Sequence, residues 1–179
     1  DIAYRVNLFG AVCGAATLAV LAQLIQETSD SWAAGLTASL ILAVSPTFWS
    51  QSTTANIRSL TALFTALSLH LLLRWGRSRE RNQLAAFAFC FGLAIGHHSS
   101  LALLVLPFAL YILIRDPELI RCPRHWLAPV STFLLSLVVL IYLPLRSNMP
   151  NVFGASPMDN WNEFLNHVLA RGFQGDMLY

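Results

Sequence analysis

The chain has 179 residues, 56% of them hydrophobic and only 11% charged, with a formal net charge of +2 and a mean hydropathy of +0.58. Soluble domains carry roughly 25% charged residues, so this composition argues against a soluble domain and for an integral membrane protein. All eleven basic residues are arginines at the ends of apolar runs, and the lack of a continuous basic face argues against nucleic-acid binding.

The first apolar run, Val6 to Ile25, has the ~20 residues a helix needs to cross a hydrocarbon core of about 30 Å. It follows Arg5 with no small-residue cleavage site, so it does not read as a signal peptide, and a sequence opening at Asp1 is expected to be an internal piece of a longer protein. A short acidic link, Glu27 to Asp30, leads to a second run from Trp32 to about Val44, closed by Pro46. The third runs from Ile57 to Trp75 and stops at the cluster Arg74, Arg77, Arg79 and Arg81.

Leu84 to Ile114 is too long for one upright crossing, since about 31 residues at ~1.5 Å rise give a helix of ~46 Å. The sequence Gly96-His97-His98-Ser99-Ser100 divides it, predicting two short helices joined outside the lipid. After an arginine-containing loop from Arg115 to His125, a last span runs from Trp126 to about Leu145. The tail is mixed, with Phe153-Gly154-Ala155-Ser156-Pro157 and an amphipathic piece from Asn160 to Arg171. Cytoplasmic loops carry the excess arginine, so the Arg74 to Arg81 and Arg115 to Arg124 loops are expected inside. The Pro46 to Asn56 loop, the His97-His98 break and the tail after Arg146 then fall on the opposite side.

Small residues recur at Gly10 and Gly14, at Ala11, Ala15 and Ala19, and at Ala88, Gly92 and Gly96, a spacing that lets helix backbones approach within the bundle. Arg58, Thr61, Thr65 and Ser68 form a polar stripe along the third span. Its arginine has two readings: an anion ligand with several planar donors, or an interfacial snorkel. His97 and His98 point about 100° apart on a helix and lack a Cys or carboxylate at ligand spacing, which argues against a metal. Phosphate or sugar-hydroxyl binding and simple interfacial solvation both remain open for them. Tyr142-Leu143-Pro144-Leu145-Arg146 ends the last span, either as a membrane anchor or as a second phosphate clamp. Asp159, Glu163, His167 and Arg171 repeat every fourth residue, as a solvated helix face or as acceptor ligands. Cys13, Cys90 and Cys122 show no metal or redox spacing and read as unpaired.

Five motifs occur in order: Tyr4-Arg5-Val6-Asn7-Leu8, Phe48-Trp49-Ser50-Gln51, Ser59-Leu60-Thr61-Ala62-Leu63-Phe64, Gly92-Leu93-Ala94-Ile95-Gly96-His97-His98, and Tyr142-Leu143-Pro144-Leu145-Arg146. Together they resemble a family of multi-spanning membrane proteins that includes a vertebrate transmembrane O-mannosyltransferase. The resemblance implies a GT-C glycosyltransferase architecture, in which an outward cavity joins a lipid-phosphate sugar donor to an acceptor. It also implies an acidic general base, in an Asp-x-Gly-Glu motif that would precede Asp1, and a His-Pro-Pro-Gly element likewise upstream. Relatives carry Glu-Val-Tyr where this chain has Asn56-Ile57-Arg58, and Asn-His where it has His97-His98. They carry Trp-Gly-Asp-Pro where the tail reads Phe153-Gly154-Ala155-Ser156-Pro157.

The expectation is an all-α, GT-C-like polytopic bundle of about five to six transmembrane helices over residues 1–146, with an extracytoplasmic interfacial segment over 147–179. Arg58, His97, His98 and Arg146 are expected to contact the donor phosphate and sugar, with Trp49, Gln51 and Asn56 lining the same outer cavity. No cofactor or metal is expected. The expected partners are membrane lipid, a polyprenyl-phosphate sugar as donor, and a protein or lipid acceptor, in a bacterial inner membrane or an ER-like membrane. The rival reading is a non-catalytic subunit packed in a larger membrane complex. A transporter is disfavoured, because neither repeated halves nor mid-span acids occur.

Overall fold

A computed structural model describes residues 1–147, 158–169 and 171. Among them the chain is all-helical. Helix α1 (Ile2–Ser29) is followed by α2 (Trp32–Ala43), α3 (Pro46–Thr53), α4 (Arg58–Ser78) and α5 (Arg81–His97). A 3-10 turn (Ser99–Leu104) then leads into α6 (Val105–Arg115) and the single turn α7 (Glu118–Arg121). Helices α8 (Leu127–Ser136) and α9 (Tyr142–Ser147) are joined by a 3-10 stretch (Leu137–Ile141), and α10 (Trp161–Val168) follows. Two continuous helical stretches, Ile2–Ser29 and Arg124–Ser147, are long and apolar enough to cross a membrane. Helices α2 and α3, bent by 70°, make a third if they act as one broken span. The tail sequence Phe153 to Pro157 lies outside the described residues.

Element boundaries follow local chemistry. Asp1 caps α1 by accepting from the Ala3 amide at 2.9 Å, and Ser31 caps α2 by accepting from the Ala34 amide at 3.3 Å. The expected acidic link is instead the last turn of α1, which stops when Asp30 turns left-handed at φ 53°. Pro46 does more than close α2. It occupies the first turn of α3, where a missing N–H costs no hydrogen bond. Helix α4 runs through the arginine cluster to Arg79, left-handed at φ 59°, whose amide returns to the Trp75 carbonyl at 2.8 Å.

The helices pack as a row, α2 on α1, α1 on α4, α4 on α5 and α5 on α8. What marks the buried stripe of α1 is small size: Gly10, Cys13, Gly14 and Thr17 face inward while Val6, Phe9 and Val12 stay exposed. A Cβ on Gly14 would stand 2.6 Å from the Ser52 Oγ, so this glycine lets α3 lie against α1. Gly92 does the same between α5 and α8, where a Cβ would reach the Ser136 Oγ at 2.0 Å. The stripe at Ala88, Gly92 and Gly96 is therefore an internal interface, whereas Ala15 and Ala19 are exposed and do not form the predicted seam.

Residues 84–114 fold as a hairpin. Phe87 and Phe91 on α5 stack at 5.6 Å and both meet Phe108 of α6 edge-on, at 5.5 and 5.1 Å. The return is fixed at its far end, where the Arg115 guanidinium donates to the Gly76 carbonyl at 2.9 Å and Arg79 donates to the Arg115 carbonyl. These contacts surround the main core, which includes Leu72, Trp75, Leu84, Phe87, Phe91 and Ile112.

Candidate functional site

The polar residues sort to two ends of the bundle. At one end lie Arg77, paired with Glu27 at 3.1 Å, Arg79 stacked 5.4 Å over Trp75, Arg115 over Tyr111 at 5.9 Å, and Arg81 against His125 at 2.7 Å. The α3–α4 junction and the His97-His98 break occupy the other end. Helices α1 and α4 run parallel, with Gly10 beside Ser59 at one end and Glu27 beside Arg77 at the other, and the α5–α6 hairpin reverses against them, which separates the two ends.

At the α3–α4 junction, Asn56 organises the turn. Its side-chain oxygen accepts from the Arg58 amide at 2.7 Å, and its NH2 donates to the Gln51 carbonyl at 2.7 Å and the Thr54 carbonyl at 3.1 Å. Ser59 donates to that same Gln51 carbonyl at 2.8 Å. These bonds hold α3 across the start of α4, and they place the Arg58 guanidinium 2.9 Å from the Gln51 Oε1. Arg58 thereby lines two neighbouring cavities. One, of ≈ 340 Å³, is formed by Leu42, Ser45, Thr47, Phe48, Gln51, Ser52, Arg58, Ser59 and Ala62. The other, of ≈ 460 Å³, runs between α1, α2 and α4 past Thr17, Leu21, Leu42, Arg58, Thr61, Ala62, Thr65, Ala66 and Leu69.

Leu42, Arg58 and Ala62 belong to both cavities, so they form one groove, apolar along its length, with a guanidinium at the junction. The predicted stripe divides here. Thr61 and Thr65 face the groove and donate to the Ile57 and Thr61 carbonyls, both at 2.8 Å. Ser68 instead turns inward to the Cys90 sulfur at 3.8 Å. Asn56 positions the junction without lining either cavity, and Trp49 points away from both, at 65% exposure. Residues two apart on α3 point in different directions, so Gln51 enters the groove while Trp49 is largely exposed.

His97 and His98 lie behind α4, against different elements. His97 lines a cavity of ≈ 380 Å³ with Leu60, Phe64, Leu93 and Tyr142. It also lines one of ≈ 250 Å³ with His98, Ser99, Leu143, His167 and Val168. Its Nε2 donates to the Ile57 carbonyl at 3.3 Å, one peptide unit from Arg58. Arg146 sits on α9 and is not among the lining residues of these four cavities. None of those lining residues is an Asp or Glu. Among the described residues no three His, Cys, Asp or Glu side chains converge as a metal site.

Reading Pro46 to Asn56 as a loop missed Phe48 and Ser52. A proline followed by Phe48, Gln51 and Ser52 at i, i+3 and i+4 was a helix signal. The expected face of Asp159, Glu163, His167 and Arg171 is not a single helix face, since α10 spans only Trp161–Val168. Of these four, only His167 reaches the described cavities behind α4.

An apolar helical bundle with spans of membrane-crossing length and a guanidinium set in an apolar groove defines a membrane protein of the all-α class. Residues 1–119 match the family described as "Protein O-mannosyl-transferase TMEM260 N-terminal domain", and the chain belongs to that family, as the ordered motifs implied. It is 31% identical over 154 residues to the mouse (Mus musculus) "Protein O-mannosyl-transferase TMEM260", covering 82% of this chain. The chain spans 22% of that relative's length. No solved structure matches it.

Proposed function

We propose that this chain forms the donor-binding part of a multi-pass membrane glycosyltransferase with a GT-C-like bundle. In this reading a sugar, mannose by the relative's name, passes from a polyprenyl-phosphate donor to a protein or lipid hydroxyl on the extracytoplasmic side. One observation carries the proposal: Arg58 stands at the junction of a groove whose walls are otherwise apolar or neutral polar. A polyprenyl chain is an apolar cylinder ending in an anion, and the groove offers both surfaces in that order. The guanidinium meets phosphate with planar, charge-assisted donors, which are stronger in a low-dielectric wall than in water.

Gln51 holds the Arg58 fork, and Asn56 holds the backbone that carries it, so both act as positioning residues. Arg146, at the end of the last span, is a second candidate for the donor headgroup. The general base on the acceptor hydroxyl is assigned to the acidic motif that the resemblance puts upstream of Asp1. The test is binding of polyprenyl phosphate to the full-length protein in nanodiscs. Arg58→Ala is expected to weaken binding about tenfold or more, the equivalent of one lost charge-assisted bond, with the melting temperature unchanged. Equal affinity in the variant and the parent would sink the assignment.

A further inference from the structure

The two adjacent histidines expose opposite hydrogen-bonding edges. A carbonyl can only accept, so the His97 Nε2 that meets the Ile57 carbonyl at 3.3 Å carries the proton. The other nitrogen of the neutral ring, Nδ1, is then a lone-pair acceptor. At His98 the engaged nitrogen is the other one. Its Nδ1 accepts from the Ser100 amide at 3.3 Å, with the Ser100 Oγ 2.7 Å away, so the ring nitrogen left over, Nε2, is an N–H donor. Both rings hold the same tautomer, but one offers an acceptor and the other a donor.

That pairing discriminates between ligands. A phosphodiester, the anion of a polyprenyl-phosphate sugar, presents only acceptor oxygens and gains nothing from the lone pair of His97, whereas a hydroxyl donates and accepts at once. We infer that His97 and His98, with His167 brought beside them by α10, form a polyol site that reads the hydroxyls of the donor's sugar. The inference rests on the proposed function for the ligand's identity, and it moves these histidines from phosphate to sugar.

Two further features support it. The His97 partner, the Ile57 carbonyl, is bonded directly to the Arg58 nitrogen, so the histidine site adjoins, across the start of α4, the groove that Arg58 lines. Helix α10 is held in place by Asn160, which accepts from the Glu163 amide at 2.9 Å, and by Glu163, which accepts from the Asp159 amide at 2.8 Å. The Met158 amide donates to Ser147 Oγ at 3.3 Å, fastening the segment to α9. His167 and Val168 thus close the wall opposite His97 and His98.

The experiment uses the full-length protein with 15N-labelled histidine in nanodiscs at about pH 8, where an ordinary imidazole is neutral. Signals are assigned by His97→Gln, His98→Gln and His167→Gln. Both His97 and His98 are expected to show a protonated Nε2 and an unprotonated Nδ1. Methyl α-mannoside is expected to shift both sets of signals, and dimethyl phosphate, a diester with no O–H to donate, to leave the His97 signals still. His167→Ala should weaken the glycoside several-fold. His97 shifts with the phosphodiester, or none with the glycoside, would overturn the inference, and shifts with N-acetylthreonine amide alone would give the site to the acceptor. Because no polyprenyl lipid is used, failure here is separate from failure of the Arg58 assignment.

Discussion

The two ends of the bundle carry similar residues in different roles. At the Arg77–Arg115 end, guanidiniums are bound within the fold: to Glu27, to the Gly76 and Arg115 carbonyls, and to the faces of Trp75 and Tyr111. At the other end, Arg58 is held by the neutral Gln51 side chain and borders a groove. An arginine paired to carbonyls and a carboxylate fastens helices together. One steadied by an amide keeps its full charge and most of its donors available to an anion. The difference lies in the partner, so residue type and interfacial position alone do not separate a fastener from a ligand.

The largest expected effect comes from breaking the scaffold that both ends share. A Cβ on Gly35 would stand 2.3 Å from the Ala22 carbonyl oxygen, a backbone atom that cannot turn aside. Gly35→Val should force α1 and α2 apart at a cost of ~1–3 kcal/mol or more, lowering the melting temperature in detergent. It should also weaken polyprenyl-phosphate binding, because α2 carries Leu42 into the groove. A melting curve matching the parent's would mean that α1 and α2 are not so closely packed.

Next comes a crossed pair that tests the comparison directly. Arg115→Ala loses a hydrogen bond and a stacking contact, and should lower stability by ~1–2 kcal/mol while donor affinity holds. Arg58→Ala should do the reverse. If both variants moved the same observable, the division between fastening and binding arginines would fail. A finer measurement is Arg58→Lys, which keeps the charge but loses the planar fork. Its affinity should fall between those of the parent and the Arg58→Ala variant, about several-fold below the parent. An affinity equal to the parent's would reduce the role of Arg58 to charge alone. The smallest effect is expected for Glu27→Gln, since a partly exposed ion pair contributes only ~0–1 kcal/mol. That loss should shrink further in high salt.

Much of the fold was legible in sequence because lipid imposes coarse rules. Apolar length set the candidate helices, and the Gly-His-His-Ser-Ser break split residues 84–114 because a helix of ~46 Å overshoots the hydrocarbon core. Helix α3 was not legible as a helix: eight residues of mixed polarity show weak periodicity, and Pro46 was read only as a stop signal. The candidate site was half legible. Arg58 and His97 stood out because polar groups are costly among apolar residues. Phe48, Ser52, Leu42 and Leu21 did not, since such residues occur throughout any membrane bundle.

By itself the sequence determined an all-α membrane protein, the order of its longer apolar helices, and the grouping of its polar breaks away from its arginine loops. Periodicity and apolar length are local properties of a chain, and they carry that much. Only the tertiary structure decided that Arg58 shares a groove with Leu42 and Leu21 of other helices while Trp49 faces away. It alone set His97 against the Ile57 carbonyl, which fixes the edge that ring presents. Those outcomes depend on how closely backbones approach, and that closeness is set by single glycines such as Gly14 and Gly92 meeting particular partners across an interface.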